Sequence, residues 1–116
     1  MSAKRPLHEL SIAEAGRQLR AGTLSSTILT QHSLSRIASL DPLLHAFVLV
    51  TRERALADAS RADRELKSGM DKGPMHGIPY ALKDIYATAG IRTTCHSKLL
   101  IDNVPAEDSV MPVRRR

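Results

Sequence analysis

The spacing of apolar residues changes several times along the chain, and each change predicts a different element. Ser11-Ile12-Ala13-Glu14 reads as a capping box, in which the Ser and Glu side chains each satisfy a free backbone N–H at a helix start. That helix is expected to end near Arg20, because Gly22 can adopt the left-handed conformation after the last turn. Ser25 or Ser26 then caps a second helix running toward Leu40. Asp41-Pro42 is expected to stop it, since proline restricts the residue before it and cannot donate into the helix.

Ala46-Phe47-Val48-Leu49-Val50 is a short, continuous apolar run whose length and valines predict a buried strand. From Arg52 to Ser68 the helical period returns, with Ala55, Leu56, Ala59, Ala62 and Leu66 on one face and Gly69 at the expected end. The opposite face carries Arg54/Asp58, Arg61/Glu65 and Asp63/Lys67, all spaced for i,i+4 ion pairs. Gly69, Gly73, Pro74, Gly77 and Pro79 make residues 69–79 a loop. Tyr80-Ala81-Leu82-Lys83-Asp84-Ile85 reads as a second short strand, and Gly90 as a turn into an extended Ile91–Thr94 segment. Helices, strand, helix, loop and strand in this order predict α/β layering.

Length and composition bound this picture. The 116 residues suit a single domain, and 42% hydrophobic with 25% charged residues is a globular composition. Phe47, Tyr80 and Tyr86 are the only aromatic residues, so a core must come from smaller side chains that bury less area. That thinness suggests part of a larger body. Of the net charge of +5, Arg114, Arg115 and Arg116 supply three. The other basic residues are interleaved with acidic ones, which argues against direct nucleic-acid binding. A lone Cys95 cannot form an internal disulfide, and no apolar run reaches the roughly 20 residues of a membrane span. The expectation is a soluble, cytoplasmic chain without membrane attachment.

The segment richest in chemistry is Gly73-Pro74-Met75-His76-Gly77-Ile78-Pro79-Tyr80-Ala81-Leu82-Lys83-Asp84. Its glycines permit unusual backbone shapes and its prolines rigidify them. The loop would therefore deliver a fixed strand that holds Lys83 among the apolar residues Leu82 and Ile85. Such a lysine is either solvated, as most are, or placed for a task.

The string His76-Gly77-Ile78-Pro79-Tyr80-Ala81-Leu82-Lys83-Asp84, followed by Thr88-Ala89-Gly90-Ile91-Arg92-Thr93-Thr94, resembles the start of the amidase signature family. Glu9–Glu14, Arg20-Ala21-Gly22, Asp41-Pro42 before Ala46-Phe47-Val48, Cys95–Leu100 and Val104–Ser109 are similar to family sequences as well. Thr93-Thr94-Cys95 with Ser97-Lys98 looks most like the branch containing amidotransferase A subunits and related amidases. The resemblance covers about residues 7–110 of a single partial domain, residues 1–116. It implies an incomplete piece of the family fold: N-terminal helices plus the first strands of a mixed sheet.

The resemblance further implies hydrolysis of a carboxamide to acid and ammonia, or transfer of the ammonia, by a Ser–cis-Ser–Lys triad without a cofactor. Lys83 matches the family's lysine, the base that ultimately takes the serine proton. An ordinary lysine, with a pKa near 10.4, is charged at neutral pH, so such a base belongs in an apolar site that disfavours the ammonium. The two serines are expected further along than residue 116. Ser97, the serine nearest in sequence, reads as a turn residue. Asp84 would face away from Lys83 on a regular strand.

Other candidates carry less. His8, His32, His45, His76 and His96 show no metal-ligand helix spacing, and Cys95 reads as a small buried hydrophobe. Glu107 and Asp108 read as polar residues before a helix start. Val110-Met111-Pro112-Val113-Arg114-Arg115-Arg116 departs from the family pattern, and residues 111–116 suggest an aberrant tail from truncation or a frame disruption. The resemblance implies as partners a small-molecule amide for the intact enzyme and amidotransferase subunits. The alternative is a non-catalytic binding module that pairs with a separate amidase or amidotransferase chain.

Overall fold

The computed structural model describes residues 5–109. Three helices carry the regular structure: α1 (Ile12–Ala21), α2 (Ser26–Leu44) and α3 (Arg52–Lys67), with short 3-10 turns at Leu7–Glu9 and Lys98–Leu100. The chain divides into two compact units, one comprising the stretch to His45 with Thr51–Pro79, the other Ala46–Val50 with the stretch from Tyr80 onward.

In the first unit, the capping box forms as the sequence predicts. Ser11 Oγ accepts the Glu14 N–H (3.1 Å), and the Glu14 carboxylate accepts the Ser11 N–H (2.8 Å). That backbone bond, with a further contribution from Arg5, holds the Glu14 carboxyl below its ordinary pKa. Gly22, at φ 77°, closes α1 in the left-handed conformation expected of it. The core gathers Ala15 and Leu19 from α1 with Leu24 and Leu29, and Leu7, Leu10, Leu66 and Ile78 pack around it. Ala59 and Ala62 are the buried residues of α3, which packs against α2, in agreement with the small inner face read from the sequence.

Two expectations about these helices are corrected. Asp41-Pro42 does not end α2, which continues to Leu44 with Pro42 inside it. Pro42 lies in the last turn, where its missing N–H removes a single bond of the ladder. His45, at φ 50°, then terminates the helix with its N–H on the Asp41 carbonyl (2.7 Å). Arg54/Asp58 and Arg61/Glu65 pair as predicted, at 3.1 and 3.5 Å. Asp63, however, turns from Lys67 to the start of α2. Its carboxylate accepts the N–H of Ser26 (2.6 Å), the N–H of Thr27 (3.0 Å) and the Thr27 hydroxyl (2.7 Å). Free amides at a helix N-terminus, reinforced by the helix dipole, attract a carboxylate more strongly than an exposed lysine does.

The expected α/β layering is also corrected. Among the described residues there is no strand, and neither 46–50 nor 80–85 joins a ladder. A strand exists only through hydrogen bonds to a neighbouring strand, and an apolar run cannot supply that neighbour by itself. The valines and Phe47 that argued for burial are instead exposed, as are Tyr80 and Ile85. Residues 111–116, the suspected tail, lie outside the described residues, as does the helix start expected after Asp108.

Asp63→Ala should cost about 1–2 kcal/mol, because it strands two amides at the start of α2. Asp63→Asn, which keeps one acceptor oxygen, should cost less. Urea unfolding of the variants measures both, and equal stability of Asp63→Ala and the native chain would contradict the capping role. The exposed apolar residues of the second unit should also bind a dye sensitive to apolar surface under native conditions. Absence of binding would show those residues to be covered.

Candidate functional site

The glycine-proline loop is fastened to the helices of its own unit at three points. Gly77 adopts φ 85°, and a Cβ there would lie 3.1 Å from Leu19 Cδ1, 3.4 Å from Leu66 Cδ1 and 3.5 Å from Ser26 Cβ. Glycine is thus required for both conformation and space. The buried Ser26 hydroxyl donates to the Gly77 carbonyl (2.7 Å). Arg20 grips the other end of the loop: its Nε and one Nη donate to the two Asp71 oxygens, both at 2.7 Å, and that same Nη also reaches the Gly73 carbonyl (2.7 Å). The Arg20 guanidinium, with help from the Gly73 N–H, pulls the Asp71 carboxyl down to about 2.

The third fastening is His76, whose side chain is nearly fully buried. Its Nδ1 accepts the Lys72 backbone N–H (3.0 Å), which places the proton of a neutral ring on Nε2, 3.3 Å from Glu65 Oε2. Lys72 Nζ lies 2.7 Å from the same oxygen, and its hydrogen bond is the main cause of a lowered Glu65 pKa.

Lys83 belongs to the second unit. Its carbonyl accepts the Tyr86 N–H (3.2 Å), so Lys83 opens a turn instead of sitting within a strand. Its side chain is exposed, and among the described residues its ammonium has no hydrogen bond or ion pair. Of the two readings open for this lysine, these residues display the solvated one. A five- or six-residue extended segment has no cover of its own, and here Leu82 is only half-buried and Ile85 exposed.

The next residue organises this unit. The Asp84 carboxylate accepts the Thr94 N–H (2.9 Å), the Thr94 hydroxyl and the His96 N–H (3.4 Å), while its carbonyl accepts the Cys95 N–H (2.8 Å). The Thr94 hydroxyl is the largest cause of the lowered Asp84 pKa, followed by the Thr94 backbone N–H. These bonds hold a tight turn in which Cys95 and His96 both have positive φ, 51° and 57°, and the Ser97 N–H returns to the Thr94 carbonyl (2.9 Å). Two positive φ angles in succession mark a type I′ turn, and neither residue is a glycine that would adopt it freely.

Cys95 is exposed at this turn, contrary to the buried role expected of it, because the left-handed backbone lifts it away from any packing face. Ser97 is a turn residue, as read, and its Oγ accepts the Leu99 N–H (3.2 Å). Beyond the turn, Gly90 and Thr93 donate to the Pro105 and Asn103 carbonyls (3.0 and 2.9 Å), and Asp108 accepts the Ala89 N–H (2.7 Å).

Among the described residues no three His, Cys, Asp or Glu side chains are grouped to hold a metal ion, and no helix is long and apolar enough to cross a membrane. Sequence reasoning overlooked the roles of Asp84 and Arg20. Asp71-Lys72-Gly73 carried a local signal, since aspartate commonly bonds the amide two residues on, as Asp71 does at 2.9 Å. The link from Asp84 to Thr94 spans ten positions and had no such signal.

A protein-family model described as Amidase matches residues 28–115. The A subunit of glutamyl-tRNA(Gln) amidotransferase from Prochlorococcus marinus (strain MIT 9313) is 47% identical over 105 residues, covering 90% of this chain and 22% of that protein. Its counterpart from Geobacter metallireducens is 48% identical over 88% of this chain and 21% of its own length. Among solved structures, the native peptide amidase of Stenotrophomonas maltophilia superposes with a TM-score of 0.90 at 38% identity, over 96% of this chain and 23% of that one. A vestigial protein complex bearing on the origins of an s-triazine catabolic enzyme matches with a TM-score of 0.82 at 27% identity, over 90% of this chain and 24% of its own. The chain thus spans less than a quarter of the length of these relatives.

Asp84 makes the second unit sensitive to acid. Its folded-state pKa is lowered, so its contribution is complete at neutral pH and disappears as pH falls below the ordinary carboxylate range of about 4. Amide exchange at Thr94 and Cys95 should accelerate in that range. Asp84→Asn should show the acceleration already at neutral pH, and unchanged Thr94 protection in that variant would remove Asp84 from this role.

Proposed function

Because the chain belongs to the amidase family, with the family model matching residues 28–115, we propose that it supplies one section of an enzyme that hydrolyses carboxamides or transfers their ammonia. In this reading Lys83 is the base of the family's Ser–cis-Ser–Lys triad. The observation that supports it most is the Gly77-Ile78-Pro79…Leu82-Lys83-Asp84 block lying within the matched residues.

Two features of the chain are consistent with this role. Asp84 anchors the backbone beside Lys83 by four hydrogen bonds and leaves the lysine side chain unengaged. The backbone of a base is then held while its ammonium remains available to a partner. To serve as a base this side chain must lose water contact, because burial disfavours the ammonium form and favours the neutral amine. The remaining three-quarters of the relatives' length is the natural source of that cover and of both serines. The isolated chain is therefore inactive in this reading, and its amide substrate is chosen by residues it does not contain.

A second reading takes its support from the exposure of the second unit's apolar residues. The chain would then be a binding module that completes a separate amidase or amidotransferase chain. The glutamyl-tRNA(Gln) amidotransferase A subunits among its relatives make the other subunits of such an enzyme the first partners to try.

Ammonia release from simple amides by the 116-residue chain should equal that of its Lys83→Ala variant. Residues 7–110 joined to the remainder of the peptide amidase should restore turnover, and Lys83→Ala in that fusion should lower kcat/KM by at least about 1000-fold. A folded fusion that retains activity within tenfold after this substitution would refute the assignment of Lys83.

A further inference from the structure

The 3-10 turn Leu7–Glu9 packs on α2. There His8 Nδ1 and His32 Nε2 lie 3.0 Å apart, with the two rings within 4° of parallel. The turn also carries part of the core, since Leu7 and Leu10 pack against the cluster that includes Leu29 of α2. No part of the proposed amide chemistry uses these two histidines.

The chemistry of this contact follows from counting hydrogens on the facing nitrogens. Two neutral imidazoles place a hydrogen on one facing nitrogen and a lone pair on the other, and a bond forms. One added proton makes a cation that donates to a neutral ring, and the bond becomes charge-assisted and stronger. A second added proton puts a hydrogen on each facing nitrogen. No acceptor remains, and two like charges meet at hydrogen-bond distance. We propose that His8 and His32 form a latch that counts protons. It holds the Leu7–Glu9 turn on α2 until both rings are charged, and then releases the turn together with the apolar side chains of Leu7 and Leu10.

Among the described residues, the charged groups nearest the pair along the chain are Arg5, Glu9 and Arg36. On the turn itself Glu9 is exposed beside His8. Arg5, just before it, is already engaged by the Glu14 carboxylate. On α2 the nearest charged residue along the helix is Arg36, one turn beyond His32, which adds to the positive field. On α3, which packs on α2, Asp58 is paired with both Arg54 and Arg61 (3.1 Å each). Glu9 makes no hydrogen bond to either ring, and the carboxylates of Glu14 and Asp58 are held by arginines.

Amide exchange on the whole 116-residue chain tests the latch. The Glu9 and Leu10 amides, which bond the Pro6 and Leu7 carbonyls (3.0 and 3.3 Å), report on the turn. The Ala15 amide, bonded to the Ser11 carbonyl (2.9 Å), reports on α1. Between neutral pH and about pH 5, well below the ordinary histidine pKa near 6.5, the protection factors at Glu9 and Leu10 should fall about tenfold, the scale of one lost hydrogen bond. Ala15 should not change. His32→Gln retains a neutral partner for His8 and cannot become charged, so it should remove most of this acid response. The proposal is overturned if the native turn shows no loss, if Ala15 falls in step with it, or if His32→Gln responds as the native chain does.

Discussion

Ser26 begins α2 where water cannot reach, and its polar groups must find partners within the protein. An unpaired amide in such a place costs on the order of 1–3 kcal/mol. The chain meets the demand from two directions. Asp63 brings its carboxylate from α3 to the N–H groups of Ser26 and Thr27, and the Gly77 carbonyl receives the Ser26 hydroxyl. Two helices and a loop are therefore registered on one residue. A glycine at residue 77 suits the positive φ, and a Cβ there would press on the end of the Leu19 side chain. The Gly-Ile-Pro block that marks the family at the level of sequence is thus, in this unit, a packing device.

The second unit is built on a different principle. Among the described residues the buried apolar side chains all lie in the first unit, and those buried in the second are Thr88, Thr93 and Thr94. Its order comes from turns and from carboxylates that collect amides, Asp84 at one end and Asp108 at the other. Polar turn networks fix a backbone path without burying much apolar area, so they stabilise little by the hydrophobic effect. Leucines, valines and Phe47 consequently remain exposed. For a candidate catalytic lysine this combination has a consequence. The backbone beside Lys83 is fixed within its unit by the bonds of Asp84, whereas Leu82 and Ile85 supply no full cover for the lysine side chain.

The helices were legible because their determinants lie within a few residues of one another. The Ser11–Glu14 box, Gly22 after α1 and the alanine face of α3 all act over three to seven positions, a range that a sequence displays directly. Pro42 was misread because proline's penalty falls to one missing bond in a last turn, and no neighbouring residue announces that the helix continues. Lys83 is proposed through family resemblance alone, since nothing in its immediate neighbours separates a solvated lysine from a placed one.

What only the tertiary structure decided depends on contacts between distant residues. Asp63 had a plausible partner four residues away, but a helix terminus 37 positions earlier holds it. Asp84 reaches Thr94, Arg20 reaches Asp71, and His8 reaches His32, each across a span whose closure no local pattern encodes. The two apolar runs read as strands carry the composition of buried β-structure, and that composition is all the sequence determined about them. A strand also requires a neighbouring backbone to receive its hydrogen bonds, and whether one is present is a property of the surrounding fold.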